Sequence, residues 1–225
     1  MNYIGIDTSL TSTGLFIKCN DKEFYYNYKN NSKLSKWHKT LDYINYKDYH
    51  IPKLDDYSDE QIAKIIMYDN VTDKIVKDIL THCKPEKSII YTEGFAYSSN
   101  AGPLIDLVTY ATLLRIKLLK YNFIEFKIIP PSSLKVNTCK KVYKPIEKII
   151  GGKYPRIEYI YKNTIGISGG SFKKPEMLQS LFDSNIDNQI KTTLLPYKNE
   201  LLKMKNIPTP ISDIVDAIWL VYSSI

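Results

Sequence analysis

A short apolar run, Tyr3-Ile4-Gly5-Ile6, ends in Asp7 and gives way to the polar cluster Thr8-Ser9-Leu10-Thr11-Ser12-Thr13-Gly14. An apolar run bounded by turn residues predicts a buried strand, so Asp7 stands where a core strand runs out. Residues 13–18 and 23–28 are rich in β-forming side chains and flank Asn20-Asp21, a hairpin turn. The expected start is therefore an antiparallel meander of three strands. Residues 29–57 are polar, crowded with Lys, Asn and Tyr and without a clean period, which predicts a surface excursion with at most local structure. Ser58 then opens a capping box with Gln61, and Ile62, Ile65, Ile66, Ile75, Val76, Ile79 and Leu80 recur at helical spacing. This predicts an amphipathic helix over the sheet, with a break near Asn70.

Ser88–Thr92 reads as the next strand and runs into Glu93-Gly94, a second carboxylate at a strand end. Pro103–Lys120 is a long helix whose apolar surface exceeds one stripe, which calls for a core face plus a second layer or a subunit interface. Phe123–Ile129 is a further strand closed by Pro130-Pro131, and Ser132, Ser133, Leu134 and Lys135 begin a helix or turn after it. Residues 174–183 form a helix with Met177, Leu178, Leu181 and Phe182 turned inward. The last clear element is the amphipathic helix Pro210–Ser223, on which Asp213 and Asp216 are three apart and share a face.

With 225 residues and 44% apolar content, the expectation is one domain carrying insertions at about 29–57 and 138–168. No run of about 18 apolar residues exists and the N-terminus lacks a basic-then-apolar leader, so a soluble, intracellular, cytoplasmic protein without a membrane partner is expected. Cys19, Cys83 and Cys139 are odd in number and far apart, which suits a reducing compartment and argues against a zinc ribbon or a disulfide scaffold. The formal charge of +7 points to nucleic acid or an anionic membrane before a neutral small molecule. Much of that charge sits in residues 138–168, where Lys140, Lys141, Lys144, Lys148, Lys153, Arg156 and Lys162 face only Glu147 and Glu158. Two readings stand for this segment, a solvated insertion and a DNA contact. Abundant Lys, Asn, Ile and Tyr also match an A/T-rich coding bias.

Asp7 alone reads as a turn cap, and Asp213 and Asp216 near a helix N-terminus are favoured by the dipole whatever else they do. As a set with Glu93 they are four acids that a βαβ fold can bring together. Two carboxylates about 4 Å apart repel by roughly 4 kcal/mol at an effective dielectric of 20, so such a cluster needs cations. Hard oxygen ligands without His or Cys favour Mg²⁺ or Mn²⁺. Two such ions about 4 Å apart suit phosphodiester hydrolysis.

Ile4-Gly5-Ile6-Asp7 with Thr13-Gly14, a strand ending in Glu93 before Phe95-Ala96, Ser133-Leu134-Lys135, Lys174 ahead of a helix, and Ser212-Asp213-Ile214-Val215-Asp216-Ala217 follow one another in an order that resembles the RuvC-type Holliday-junction resolvases of the RNase H-like superfamily. The resemblance covers nearly the whole chain, with residues 29–57 and 138–168 as additions. It implies an α/β fold with a mixed five-stranded sheet flanked by helices, a homodimer, and resolution of four-way DNA junctions by paired nicks with two metal ions per site. Asp7 would bridge the metals and Glu93, Asp213 and Asp216 would complete the shell. Lys135 and Lys174 would approach the scissile phosphate, and Phe95 would stack on a junction base, with Tyr97 as its rival because Phe95 lies one residue closer to the glutamate than the family spacing. The composition and added loops suit a viral member, which would place it in the host cytoplasm.

Two other readings share parts of the pattern. Actin-like ATPases and kinases also begin with Gly-Ile-Asp and a Ser/Thr-rich turn, but need a second similar domain and give the Asp213/Asp216 pair no role. A non-catalytic DNA-binding protein of the same fold would have no reason to keep all four acids.

Overall fold

The computed structural model describes residues 1–30, 35–95, 101–143, 146–151, 156–160 and 172–225. Its centre is the predicted meander: β1 (Asn2–Asp7), β2 (Ser12–Cys19) and β3 (Lys22–Asn30), paired antiparallel. Asn20 takes a positive φ of 54° in the tight turn between β2 and β3, a conformation that Asn tolerates better than most residues.

Residues 29–57 are not an excursion. They build α1 (Lys36–Thr40) and β4 (Asn45–Tyr49), and β4 pairs in parallel with β3 as an added edge strand. Trp37, Leu41 and Ile44 pin the segment to the core. The strand itself is polar because it is an edge: Lys29 on β3 pairs with Asp48, and Lys47 reaches Asp78 at 2.9 Å.

The following helix α2 (Tyr57–His82) runs without a break at Asn70, because Tyr68, Val71, Thr72 and Ile75 are all buried beneath it. Its cap is Asp56, whose side chain accepts from the Asp59 amide, rather than the expected Ser58/Gln61 box. Then come β5 (Ser88–Glu93), α3 (Ala101–Leu119) and β6 (Glu125–Ile129), which extend the sheet in parallel on the far side of β1. The order β4-β3-β2-β1-β5-β6 is a mixed sheet with six strands where five were expected.

Helix α4 (Pro131–Val142) corrects the boundary of the basic insertion. Thr138 and Cys139 are buried in its last turns, so Lys140 and Lys141 belong to a packed helix. Beyond it, β7 (Ile146–Ile150) and β8 (Arg156–Ile160) form a separate antiparallel hairpin. Helix α5 (Lys174–Asp183) has the predicted bounds, the short α6 (Gln189–Leu194) and α7 (Lys198–Leu201) follow, and α8 (Ile211–Tyr222) closes the fold.

Strand alternation divides the core into two layers. Ile4, Ile6, Leu15, Ile17, Tyr26, Tyr28 and Ile90 face α2 and α3, while Tyr3, Phe16, Tyr25, Ile89 and Tyr91 face α8, α4 and α5. Eleven residues of α8, Ile211–Val221, are buried, and Trp219 Nε1 donates to the Met177 carbonyl of α5 at 3.0 Å. Each aliphatic side chain so buried contributes roughly 1.5–3 kcal/mol, enough to fix this helix against the sheet. No helix among the described residues is long and apolar enough to cross a membrane.

One pH effect follows from the packing. His82, at the end of α2, stacks on Phe24 with ring centroids 3.7 Å apart and its Nε2 lies 2.6 Å from the Tyr26 hydroxyl. Burial pulls its pKa below the ordinary 6.5, with Asp78 pulling back. A histidine kept neutral by the fold contributes stability that is present above about pH 6.5 and lost as pH falls through the lowered value. Between pH 7 and pH 5 the melting temperature of His82→Gln is expected to fall less than that of the wild type; identical slopes would refute the assignment.

Candidate active site

The sheet's alternation puts two acids on one face before any helix is added. Asp7 shares a face with Tyr3 and Gly5, and Glu93 shares it with Ile89 and Tyr91, so both point toward α8. Parallel pairing sets Ile6 beside Thr92, which leaves Asp7 and Glu93 side by side at the carboxyl ends of neighbouring strands.

Helix α8 can reach them because two glycines let it lie directly on the strands. A Cβ on Gly5 would sit 2.0 Å from the Ala217 carbonyl oxygen, and one on Gly14 would sit 2.3 Å from that of Asp213. Gly14 is the cross-strand partner of Asp7. The missing side chain thus opens the space beside Asp7 into which the first turn of α8 brings Asp213, with Asp216 one turn on. Ser212 Oγ donates to Asp213 Oδ1 at 2.9 Å.

A fourth element supplies the counter-charge. Lys174, at the start of α5, is hydrogen-bonded through Nζ to Asp216 Oδ2 and lies 3.7 Å from Asp7 Oδ2. Burial raises the Asp7 pKa well above its ordinary value, Lys174 opposes this, and Glu93, Asp216 and Asp213 add to it. Glu93 is raised by burial and by Asp216, against a hydrogen bond with Asp7 and the nearby charges of Lys174 and Lys135. Burial also raises Asp213, against hydrogen bonds from Ser12 and Ser212 and the charge of Lys174. Desolvation by itself would lower the Lys174 ammonium, yet Asp216, Asp7 and Asp213 together hold it above its usual range. All four expected acids therefore meet, with Lys174 among them and Lys135 of α4 close enough to act on Glu93.

Among the described residues no three Asp, Glu, His or Cys side chains form a group that could hold a metal ion, and the Lys174 ammonium lies between Asp7 and Asp216. Two oxygens remain unanswered: Asp213 Oδ2 and Asp216 Oδ1 are buried without a hydrogen-bond partner. A buried carboxylate oxygen without a partner is costly, and an all-oxygen donor set suits a hard divalent ion.

The remaining expected residues are more dispersed. Phe95 is half-buried just past Glu93, and Tyr97 and Lys144 lie outside the described residues. Lys140 and Lys141 are exposed at the end of α4, while Lys148 is known only as a position on β7, opposite Glu158. Two contributors were not anticipated. Tyr49 of β4 donates to the Leu10 carbonyl at 2.7 Å, so the added strand braces the turn that follows Asp7, and the backbone N–H of Asn30 at the end of β3 donates to the Thr11 carbonyl at 3.0 Å. Arg115 of α3 donates to the Glu93 carbonyl at 2.8 Å. Tyr49 carried no sequence signal, but Arg115 did, as one of only two arginines among 31 basic residues.

No protein-family model and no curated protein matches the sequence. Solved structures do. Thermus thermophilus RuvC in complex with a Holliday junction substrate is 12% identical with a TM-score of 0.43, over 99% of this chain and 91% of that one. A second Thermus thermophilus RuvC structure is 11% identical with a TM-score of 0.38, over 99% and 92%. The yeast mitochondrial Holliday junction resolvase Ydc2 is 12% identical with a TM-score of 0.46, over 98% and 75%. The chain resembles these proteins over nearly its whole length.

Proposed function

We propose that this chain is a metal-dependent, structure-selective DNA endonuclease that resolves four-way junctions by paired symmetric nicks, carried out by one RNase H-like domain spanning residues 1–225. The observation that supports this is the meeting of Asp7, Glu93, Asp213 and Asp216, from three separate elements, around the Lys174 ammonium. Three buried acids and a half-buried fourth repel one another without a cation, so their presence at the edge of a well-packed core calls for a chemical use.

Asp7, Glu93, Asp213 and Asp216 are the residues that would hold two Mg²⁺ or Mn²⁺ ions. Such ions supply a water nucleophile at neutral pH and neutralise the leaving oxygen of a phosphodiester. The Lys174 ammonium, with that of Lys135, would stabilise negative charge developing on the scissile phosphate. Tyr49 and the Ser12 and Ser212 hydroxyls hold the acids in position. Phe95 lies beside Glu93, where a base freed from stacking can rest on its ring. Lys140, Lys141, Lys144 and Lys148 neutralise DNA phosphates away from the cut, which positions the substrate without reading its sequence.

Paired nicks require two sites on opposite strands, which a two-fold dimer provides. Ile105, Val108, Ile116 and Leu119 on α3 and Ile62, Ile65 and Ile66 on α2 are exposed and form the apolar surface such a dimer would cover. The deciding experiment incubates the protein with labelled four-way, three-way and linear DNA in Mg²⁺ or Mn²⁺ and maps the cuts. Symmetric nicks near the branch are expected on four-way DNA alone. Equal cutting of linear duplex, or none of any substrate, would refute the reading.

A further inference from the structure

Arginine is scarce in this protein, so the position of one inside the fold carries information. Arg115 projects from α3 toward the end of β5. Its guanidinium carbon lies 4.3 Å from the centroid of the Phe95 ring, and its Nη2 donates to the backbone carbonyl of Glu93 at 2.8 Å. Its Nε is buried and has no hydrogen-bond partner. A lysine would avoid that orphaned donor, and the chain uses lysine nearly everywhere else. A planar guanidinium, however, can cover an aromatic ring while one of its N–H groups donates to a carbonyl.

We propose that Arg115 is a positioning residue that fixes Phe95 as a stacking platform for a base at a DNA branch point, and so sets the preference for branched over linear DNA. This rests on the nuclease reading above. The guanidinium covers one face of the ring. Phe95 stays partly exposed, two residues past Glu93 in the chain. In linear duplex each base already has two stacked neighbours and gains nothing from the ring. At a branch point the stack is interrupted, and a base that meets a ring held in place gains a stacking partner without first ordering it. Because the same side chain grips the Glu93 carbonyl, a base seated on Phe95 is placed in fixed register with the acid that faces the backbone.

The test compares wild type, Arg115→Lys, Phe95→Leu and the double variant, without divalent ions, for affinity to four-way and linear DNA. Lysine keeps the charge, so attraction to phosphate survives in Arg115→Lys. Each single variant is expected to lose about tenfold in four-way affinity, in keeping with one base stack, and to bind linear duplex within about twofold of wild type. The double variant is expected to bind no more weakly than Phe95→Leu, because both act through one platform. A 2-aminopurine placed at the branch should change its fluorescence on binding wild type and not on binding Arg115→Lys. Should Arg115→Lys melt well below wild type, Arg115→Gln replaces it, keeping an amide donor for the Glu93 carbonyl, with the same expected losses. Undiminished four-way preference in the arginine variant, or losses that simply add in the double variant, would overturn the inference and leave the nuclease reading intact. A wild type that binds four-way and linear DNA alike would overturn both.

Discussion

Asp7→Asn is expected to lower junction cleavage by about a thousandfold or more while four-way DNA is bound as tightly as before, or more tightly. Asn keeps the shape of the side chain and removes its charge, and the charges of Glu93, Asp216 and Asp213 all disfavour the ionised form of Asp7. Ions at such a site contribute several kcal/mol to the transition state, and a loss of about 4 kcal/mol corresponds to roughly a thousandfold in rate. Binding should not suffer, because a negative group facing phosphate is lost. A second readout separates chemistry from folding. Asp7 is only 4% exposed and its ionised form is disfavoured by burial and by its neighbours, so the neutral amide should raise the melting temperature in the absence of divalent ions. Single-turnover cleavage in Mg²⁺, fluorescence anisotropy and thermal melting test the three claims. Cleavage at the wild-type rate would end the assignment of Asp7 as a metal ligand.

Lys174→Gln should act in the opposite direction on stability. Lys174 is the cation that the structure places between Asp7 and Asp216, each side chain only 5% exposed. Removing it leaves two buried carboxylates facing each other. Breaking a buried pair costs about 3–5 kcal/mol and an exposed one about 1 kcal/mol or less; the Lys174 side chain is itself 44% exposed, so roughly 2 kcal/mol is the expected loss. The informative part is its dependence on metal. Mg²⁺ or Mn²⁺ restores positive charge to the acids directly, so the melting temperature of Lys174→Gln should rise more with added divalent ion than that of wild type, whose own lysine competes for the oxygens. Cleavage should stay low even when stability is recovered, because the ammonium that meets the phosphate is gone. A variant that melts as wild type without metal, or gains nothing extra from it, would show that Lys174 does not stand in for a cation.

Much of this site was legible in the sequence because its parts are local. Asp7 and Glu93 each close a short apolar run, and a strand end is a feature of a few consecutive residues. Asp213 and Asp216 share a face because the helical period puts residues three apart on one side. Lys174 could be placed at a helix start from the inward-turning Met177, Leu178, Leu181 and Phe182. The polar strand β4 was missed because an edge strand needs no apolar face of its own and takes its geometry from β3. The break expected at Asn70 was wrong for a related reason: local propensity was overruled by the buried residues on either side of it.

The sequence by itself determined the opening meander, the long helices over the sheet, the two strand ends that carry acids, and the pairing of two more acids on one turn of helix, because each of these depends on the period of a single element. Only the tertiary structure decided that the four acids meet, since this depends on Gly5 and Gly14 letting α8 lie against β1 and β2, and on the register that sets Asp7 next to Glu93. The same holds for Lys174 reaching Asp216 across 42 residues of chain, for Tyr49 bracing the turn at Leu10, and for Arg115 folding back over Phe95. Contacts between elements far apart in sequence leave no period to read; they are fixed by which faces must be buried together, and that is settled only when the layers pack.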